Sequence, residues 1–428
     1  MERSGEDVDS VTARSVRSRR RILAVLNANG IAGRASSYHL DAIRGVAAFV
    51  VFFSHVRHVF YIDFHELKRA TLVDSVAYGL TNLGHEAVII FFVLSGFLIG
   101  ASVLRLECEG RWSWSGYIIN RVSRLHVVLI PALLLGLLWD QCGMRFTSGQ
   151  ALYSGQVTNS VLNVSIRSRE SVSVFLGNLL CLQTVLVPTF GSNSPLWSLA
   201  NEFWYYMIFP LVVFAFVPWT SVRVKFVSLS VIGLLLCSLG TTISLYFPIW
   251  LMGVLINFAP PLASELRSLV IVGSALALCV ILSILGTRSV NGLIADLCLG
   301  LSCAVFIYAT IQDRRELKGQ SLYARVSGEM AKCSYTLYLM HMPLLAFIYA
   351  SCMEGTQWAP TARSLLTGLG VALLVFGYAL VVAFLTERRT HAVRKWLLRC
   401  KTLIGSERLR GLYSSTALRS LLKPNNSV

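Results

Sequence analysis

Apolar residues fall along this chain in runs of roughly 15 to 23 residues separated by short polar connectors, the length that a hydrocarbon core about 30 Å thick requires of a helix. The runs lie near 41–61, 83–104, 125–139, 196–217, 225–243, 245–259, 268–286, 290–311, 333–350 and 364–386. They predict an all-α, polytopic membrane bundle of about ten transmembrane helices. An eleventh run, "VSVFLGNLLCLQTVLVP" at 172–188, is broken by Gly177, Asn178 and Gln183 and closed by Pro188. It decides the parity of the bundle.

Composition agrees with the pattern: 55% of the 428 residues are hydrophobic and only 14% charged, outside the range of soluble globular chains. The net charge of +16 sits at the ends, where topology signals are expected, and so argues against a nucleic-acid partner. Residues 1–39 carry seven Lys/Arg against four acids, and residues 387–428 carry ten against two, so both tails read as cytoplasmic. The first reads as a flexible, solvated basic tail, although Arg17, Arg19, Arg20 and Arg21 could reach anionic headgroups; it has no cleavable leader pattern. Two cytoplasmic tails require an even number of crossings. Arg105, Arg111, Arg121, Arg124, Arg223, Lys225, Arg314, Arg315, Lys318 and Arg325 all fall inside if 172–188 does not cross. The segment is therefore expected in the interface or as a re-entrant loop, with 140–195 an external loop region and 40–386 the transmembrane domain. The ten cysteines form neither a C-x-x-C motif nor a zinc-like His/Cys cluster, and no metal, P-loop or dinucleotide fingerprint is expected.

Ionisable residues inside the membrane are costly and normally face the interior. In "LDAIRGVAAFVVFFSH", Arg44 and His55 are eleven residues apart, which at 100° per residue leaves them about 20° from eclipsed and about 16 Å apart along the helix. One helix face thus carries a cation low and an imidazole high. Asp41, at the predicted start of the span, reads mainly as an N-cap that could also pair with Arg44. Glu202, about six residues into "SPLWSLANEFWYY", and His55 both come out about 9 Å below the outer surface, so the carboxylate is expected to hold the imidazole as a general base. Arg121 and Arg124 form an R-x-x-R pair suited to phosphate, although positive-inside topology alone explains many such pairs. Tyr335, Tyr338 and His341 follow one another at i+3 steps in "SYTLYLMHMPL" and, with Ser95, are further cavity candidates. A proton-coupled carrier using the His55 and Glu202 side chains is the rival reading.

Five stretches, "LDAIRGVAAFVVFFSH", "FFVLSGFLIG", "RVSRL", "PLWSLANEFWYY" and "SYTLYLMHMPL", together resemble the acyltransferase 3 family of bacterial membrane O-acyltransferases. The resemblance implies a multi-pass enzyme of the bacterial inner membrane that transfers an acyl group, usually acetyl from cytoplasmic acetyl-CoA, to a carbohydrate at or beyond the membrane. Lipopolysaccharide, exopolysaccharide, capsule, lipid-linked and nodulation-type oligosaccharides are all acceptors compatible with it. It also implies catalytic roles for Arg44 and His55, a coenzyme role for Arg121 and Arg124, and a functional acid at Glu202. Two positions depart from the family pattern. Ile89 stands where an acid is frequent, with Glu86 on another side of the helix, and Val127 stands where a proline is usual.

Overall fold

Backbone polar groups inside hydrocarbon must be satisfied within their own segment, and each apolar run accordingly closes into a helix. The computed structural model describes residues 3–31, 34–156, 162, 164–286, 292–313, 315, 321–353 and 356–401, with no β-strand among them. In chain order the helices are α1 (Arg3–Ala28), α2 (Ala35–Phe60), α3 (Leu72–Thr81), α4 (Gly84–Cys108), α5 (Trp114–Gly143), α6 (Thr147–Ser154), α7 (Val172–Leu179), α8 (Leu196–Phe216), α9 (Val222–Ser238), α10 (Gly240–Leu255), α11 (Ser264–Gly286), α12 (Gly292–Ile311), α13 (Leu322–Cys352) and α14 (Ala362–Leu385).

Nine helices among the described residues are long and apolar enough to cross a membrane. The tenth predicted span corresponds to α9, which has 17 residues, about 25 Å of rise, and so falls short of a full core. Its partner α10 follows at once through Gly240, whose φ of +82° makes the reversal a conformation that glycine adopts without strain.

The helices run alternately between two ends. The proximal end gathers α1, the α4–α5 turn and the residues after α14: Asn29 donates to the Ala259 carbonyl at 2.9 Å, Trp219 to Glu107 at 2.9 Å and Lys401 to Ser115 at 2.6 Å. The distal end gathers residues 61–71, 144–156 and 164–178. The N-terminal basic segment carries α1, whose C-terminal half packs on the bundle. Leu26 is buried among the side chains of α4 and its neighbours, and the Arg19 guanidinium lies 4.8 Å over the Trp219 ring. The last residues of the basic C-terminal tail, 402–428, lie outside the described residues.

At 8 residues, about 12 Å, α7 is too short to cross. The chain after it dips into the bundle, where the Leu179 carbonyl meets His126 Nε2 at 2.9 Å and the Cys181 carbonyl accepts from Trp204 Nε1 at 3.0 Å. Segment 172–188 is thus a short helix followed by a loop packed among the helices. It is tied off by the Asn178 amide, which donates to the Pro188 carbonyl and accepts from the Phe190 N–H.

At the centre stands α13, 89% of whose apolar window is buried, packed between α2, α5 and α14. The α4–α10 pair is a close crossing, in which a Cβ at Gly96 would run into the Trp250 carbonyl and one at Gly253 into that of Val93. By contrast α11 packs almost wholly on α12, and only 6% of its window is buried.

Candidate active site

Two helices serve as rulers for the site. A Cβ added at Gly84 would come within 2.6 Å of Ser54 Oγ, so the start of α4 lies level with the His55 end of α2. Eleven residues down α2 is Arg44, and eleven down α4 is Ser95, each about 16 Å below. The polar groups of the site fall on these two levels.

The lower level holds a buried network. Ser95 Oγ donates to Glu202 Oε1 at 3.0 Å and accepts from Trp250 Nε1 at 3.2 Å, and the Tyr206 hydroxyl donates to the same carboxylate. Glu202 thus belongs to Ser95 and Tyr206 and does not hold His55, contrary to the depth estimate from sequence. The estimate placed the start of α8 at the membrane surface. The packed loop before it lowers that start, and six further residues then bring Glu202 to the level of Ser95.

Asp41 is likewise not a cap. Because α2 begins at Ala35, Asp41 is already in its second turn, and its carboxylate accepts from Arg44 NH2 at 2.9 Å. The two arginines of R-x-x-R part company. Arg124 faces the cavities, whereas Arg121 is buried with its guanidinium 5.6 Å from the Tyr117 ring and 5.7 Å from that of Tyr206. The early start of α5 at Trp114 is what places both on regular helix.

Two cavities meet at this level. A proximal one of about 480 Å³ is lined by Arg44, Arg124, Lys332, Tyr335, Glu387 and Arg388. A narrow inner one of about 90 Å³ continues past Arg44, Arg124 and Tyr335 to Glu202, Ser198, Ser334 and Tyr338. Four cations line the mouth. Glu387 is occupied in accepting from the N–H and hydroxyl of Thr336 at 3.0 and 2.8 Å, while Glu329 pairs with Lys332 at 2.8 Å and Arg388 at 2.6 Å. Arg44 pairs with Asp41, which leaves Arg124 as the cation of the mouth with no ion pair among the described residues. The inner end is closed by the Tyr338 hydroxyl, hydrogen-bonded to Ser198 Oγ at 2.7 Å.

One turn beyond Tyr338 lies His341, whose ring centroid is 6.3 Å from that of Tyr338 and 4.9 Å from that of His55, stacked at 18°. His341 is the partner that Glu202 was expected to be. Its Nδ1 is 2.8 Å from the Leu337 carbonyl, and its Nε2 is 2.6 Å from His55 Nδ1. A carbonyl only accepts, so the proton of neutral His341 belongs on Nδ1, its Nε2 accepts, and His55 carries its own proton on Nδ1. That leaves His55 Nε2 as a lone pair with no partner among the described residues. His341 is wholly buried while His55 is partly exposed.

Sequence reasoning passed over a second polar cluster, at the distal end. His85 Nε2 lies 3.0 Å from both carboxylate oxygens of Asp296, and the Tyr246 hydroxyl donates to Asp296 at 2.9 Å. An aspartate inside the apolar stretch "GLIADLCLGL" was the signal. Ile89 is fully buried, and Glu86 lines a different groove from Phe91 and Phe92, as its place on the helix predicts. Among the described residues no group of three His, Cys, Asp or Glu side chains is placed to hold a metal.

Comparison with known proteins places this geometry. A family model described as an acyltransferase domain matches residues 37–388, most of the chain and all the residues of both levels. The chain is also similar to "Acyltransferase MdmB" of Streptomyces mycarofaciens, 26% identical over 173 residues, which is 40% of this chain and 38% of that protein. No solved structure matches. With the family's model running from the first turn of α2 to just past α14, this multi-pass membrane protein belongs to the acyltransferase 3 family.

Proposed function

We propose that this acyltransferase moves an acetyl or other short acyl group from acyl-CoA, bound at a cytoplasmic proximal end, to a hydroxyl of a carbohydrate that enters from the distal side of a bacterial inner membrane. The observation that carries the reading is that Arg44, Arg124 and Tyr335 line both cavities, so a cationic mouth adjoins a narrow inner cavity whose far end, at Tyr338, lies one helical turn from His341. Coenzyme A has that shape: polyanionic at one end, thin along its pantetheine arm, reactive at the tip. Its phosphates would lie against Arg124, Lys332 and Arg388, with Arg44 at the throat. Glu202 would accept hydrogen bonds from the amides of the arm. Arg121, packed under Tyr117 and Tyr206, would support the passage from behind.

His55 Nε2 would take the proton of the acceptor hydroxyl. The oxygen attacks the thioester carbonyl carbon, the carbon–sulfur bond breaks, and the departing thiolate takes the proton back from His55. The donor is already activated, so no covalent enzyme intermediate is needed. The inner cavity of about 90 Å³ favours a short acyl group over a long one.

The test is protein in liposomes with labelled acetyl-CoA inside and candidate glycans outside. Labelled glycan is expected from the wild type and at least about 100-fold less from folded His55→Ala, the usual scale of a lost general base. Unchanged transfer by the variant would remove His55 from the role of base. Movement of glycan without labelling would replace the enzyme by a carrier. Mass spectrometry of surface glycans with and without the protein identifies the acceptor among lipopolysaccharide, exopolysaccharide, capsule and the oligosaccharides.

A further inference from the structure

The most spacious cavity described lies outside this passage. It is a groove of about 540 Å³ between α2, α4, α11 and α12. Ile43, Val46, Val50, Ile90, Ile271 and Phe306 give it an apolar lining, and it runs along α2 from His39 to Val50, about 16 Å. Val46 is 53% exposed. Because α11 packs almost wholly on α12, no described residue fills the space beside it. In a bilayer such a space is filled by hydrocarbon.

Charge gives the groove a direction. At its proximal end the single carboxylate of Asp313 is shared by Arg315 at 2.7 Å, Arg267 at 3.1 Å and His39 Nε2 at 3.3 Å. Among the described residues, two guanidinium groups for one carboxylate leave an excess positive charge even with the imidazole neutral. Both lie on the groove wall, and the Arg315 side chain is still 73% exposed. At the far end stands Glu86, one carboxyl oxygen of which is buried without a partner. An anionic head is attracted at one end and repelled at the other.

We propose that this groove binds one anionic phospholipid of the proximal leaflet, with an acyl chain along α2 and the headgroup phosphate on Arg267 and Arg315. A zwitterionic lipid carries its own ammonium and leaves the excess charge unanswered, so selectivity for net charge is the signature.

Delipidated full-length protein, titrated with phosphatidylglycerol or phosphatidylcholine and read by native mass spectrometry, tests this. One phosphatidylglycerol per chain is expected, retained at least about tenfold over phosphatidylcholine. The Arg267→Gln/Arg315→Gln pair should abolish the preference. Ile271→Trp, which fills the groove and leaves the charges alone, should displace the lipid of either kind and decides the matter if the charge variant does not fold. Equal retention of both lipids by the wild type, or phosphatidylglycerol retained unchanged by folded Ile271→Trp, overturns the proposal. Inorganic phosphate competing as well as the lipid would also overturn it, because the chain would then contribute nothing.

Discussion

His341 gives His55 its orientation through one hydrogen bond 2.6 Å long, and the Leu337 carbonyl fixes the direction of that bond. Under the proposed mechanism, His341→Ala frees His55 to carry its proton on either nitrogen. It should lower kcat by about 100-fold or more while KM for the donor stays within a few-fold. His341→Gln, whose amide oxygen can accept from His55 Nδ1, should recover part of the loss. Steady-state kinetics on both variants check this, and a His341→Ala enzyme with unchanged kcat would leave the histidine pair a packing contact. Arg124→Gln should act the other way, raising KM for acyl-CoA and sparing kcat, since Arg124 lines the entry and lies away from the histidines.

Helices meet here through features that a change of one residue disturbs. Leucine at Gly96 would press its side chain on the Trp250 carbonyl and force α4 and α10 apart, at a cost of about 1–3 kcal/mol that thermal unfolding in detergent would register. Asp296→Leu would strip His85 and Tyr246 of their shared acceptor between α4, α10 and α12. About 1–2 kcal/mol is expected to be lost, and less from Asp296→Asn, which keeps an oxygen for the tyrosine. At the proximal end, hydrogen bonds from Arg315 are the main cause holding the Asp313 carboxyl well below the usual carboxylate range, with His39 and Arg267 adding to them. A depressed folded pKa contributes stability that is complete above the unfolded value of about 4 and is lost as pH falls through the folded one. Thermal stability should therefore show no Asp313-dependent change between pH 8 and 5. Below pH 4 the wild type should approach Asp313→Asn.

Over the whole bundle, α13 lies central and α11 peripheral, and the passage follows the buried side of that asymmetry while the open groove follows the other. An even number of crossings, with α9 completing the count, would put both ends of the chain on one side. A C-terminal fluorescent-protein fusion should then be bright and the matching alkaline phosphatase fusion silent; the reverse result would make the number of crossings odd or invert the bundle.

How much of this was legible beforehand follows from the range of the forces involved. Helices, their approximate limits, the break in the 172–188 run and the shared face of Arg44 and His55 are properties of neighbouring residues in hydrocarbon, where periodicity and backbone satisfaction leave few choices. The five motifs likewise carried the family. Depth and partnership are not local. A helix begins wherever the preceding chain allows, so Asp41 became the partner of Arg44 once α2 started at Ala35, and Glu202 sank to Ser95 once the packed loop lowered α8. The same packing buried Arg121 beneath two tyrosines and left Arg124 in the throat. Sequence spacing measures position along one axis, and only the assembled bundle sets those axes against one another, which is why the imidazole of His341, and not the carboxylate of Glu202, stands beside His55.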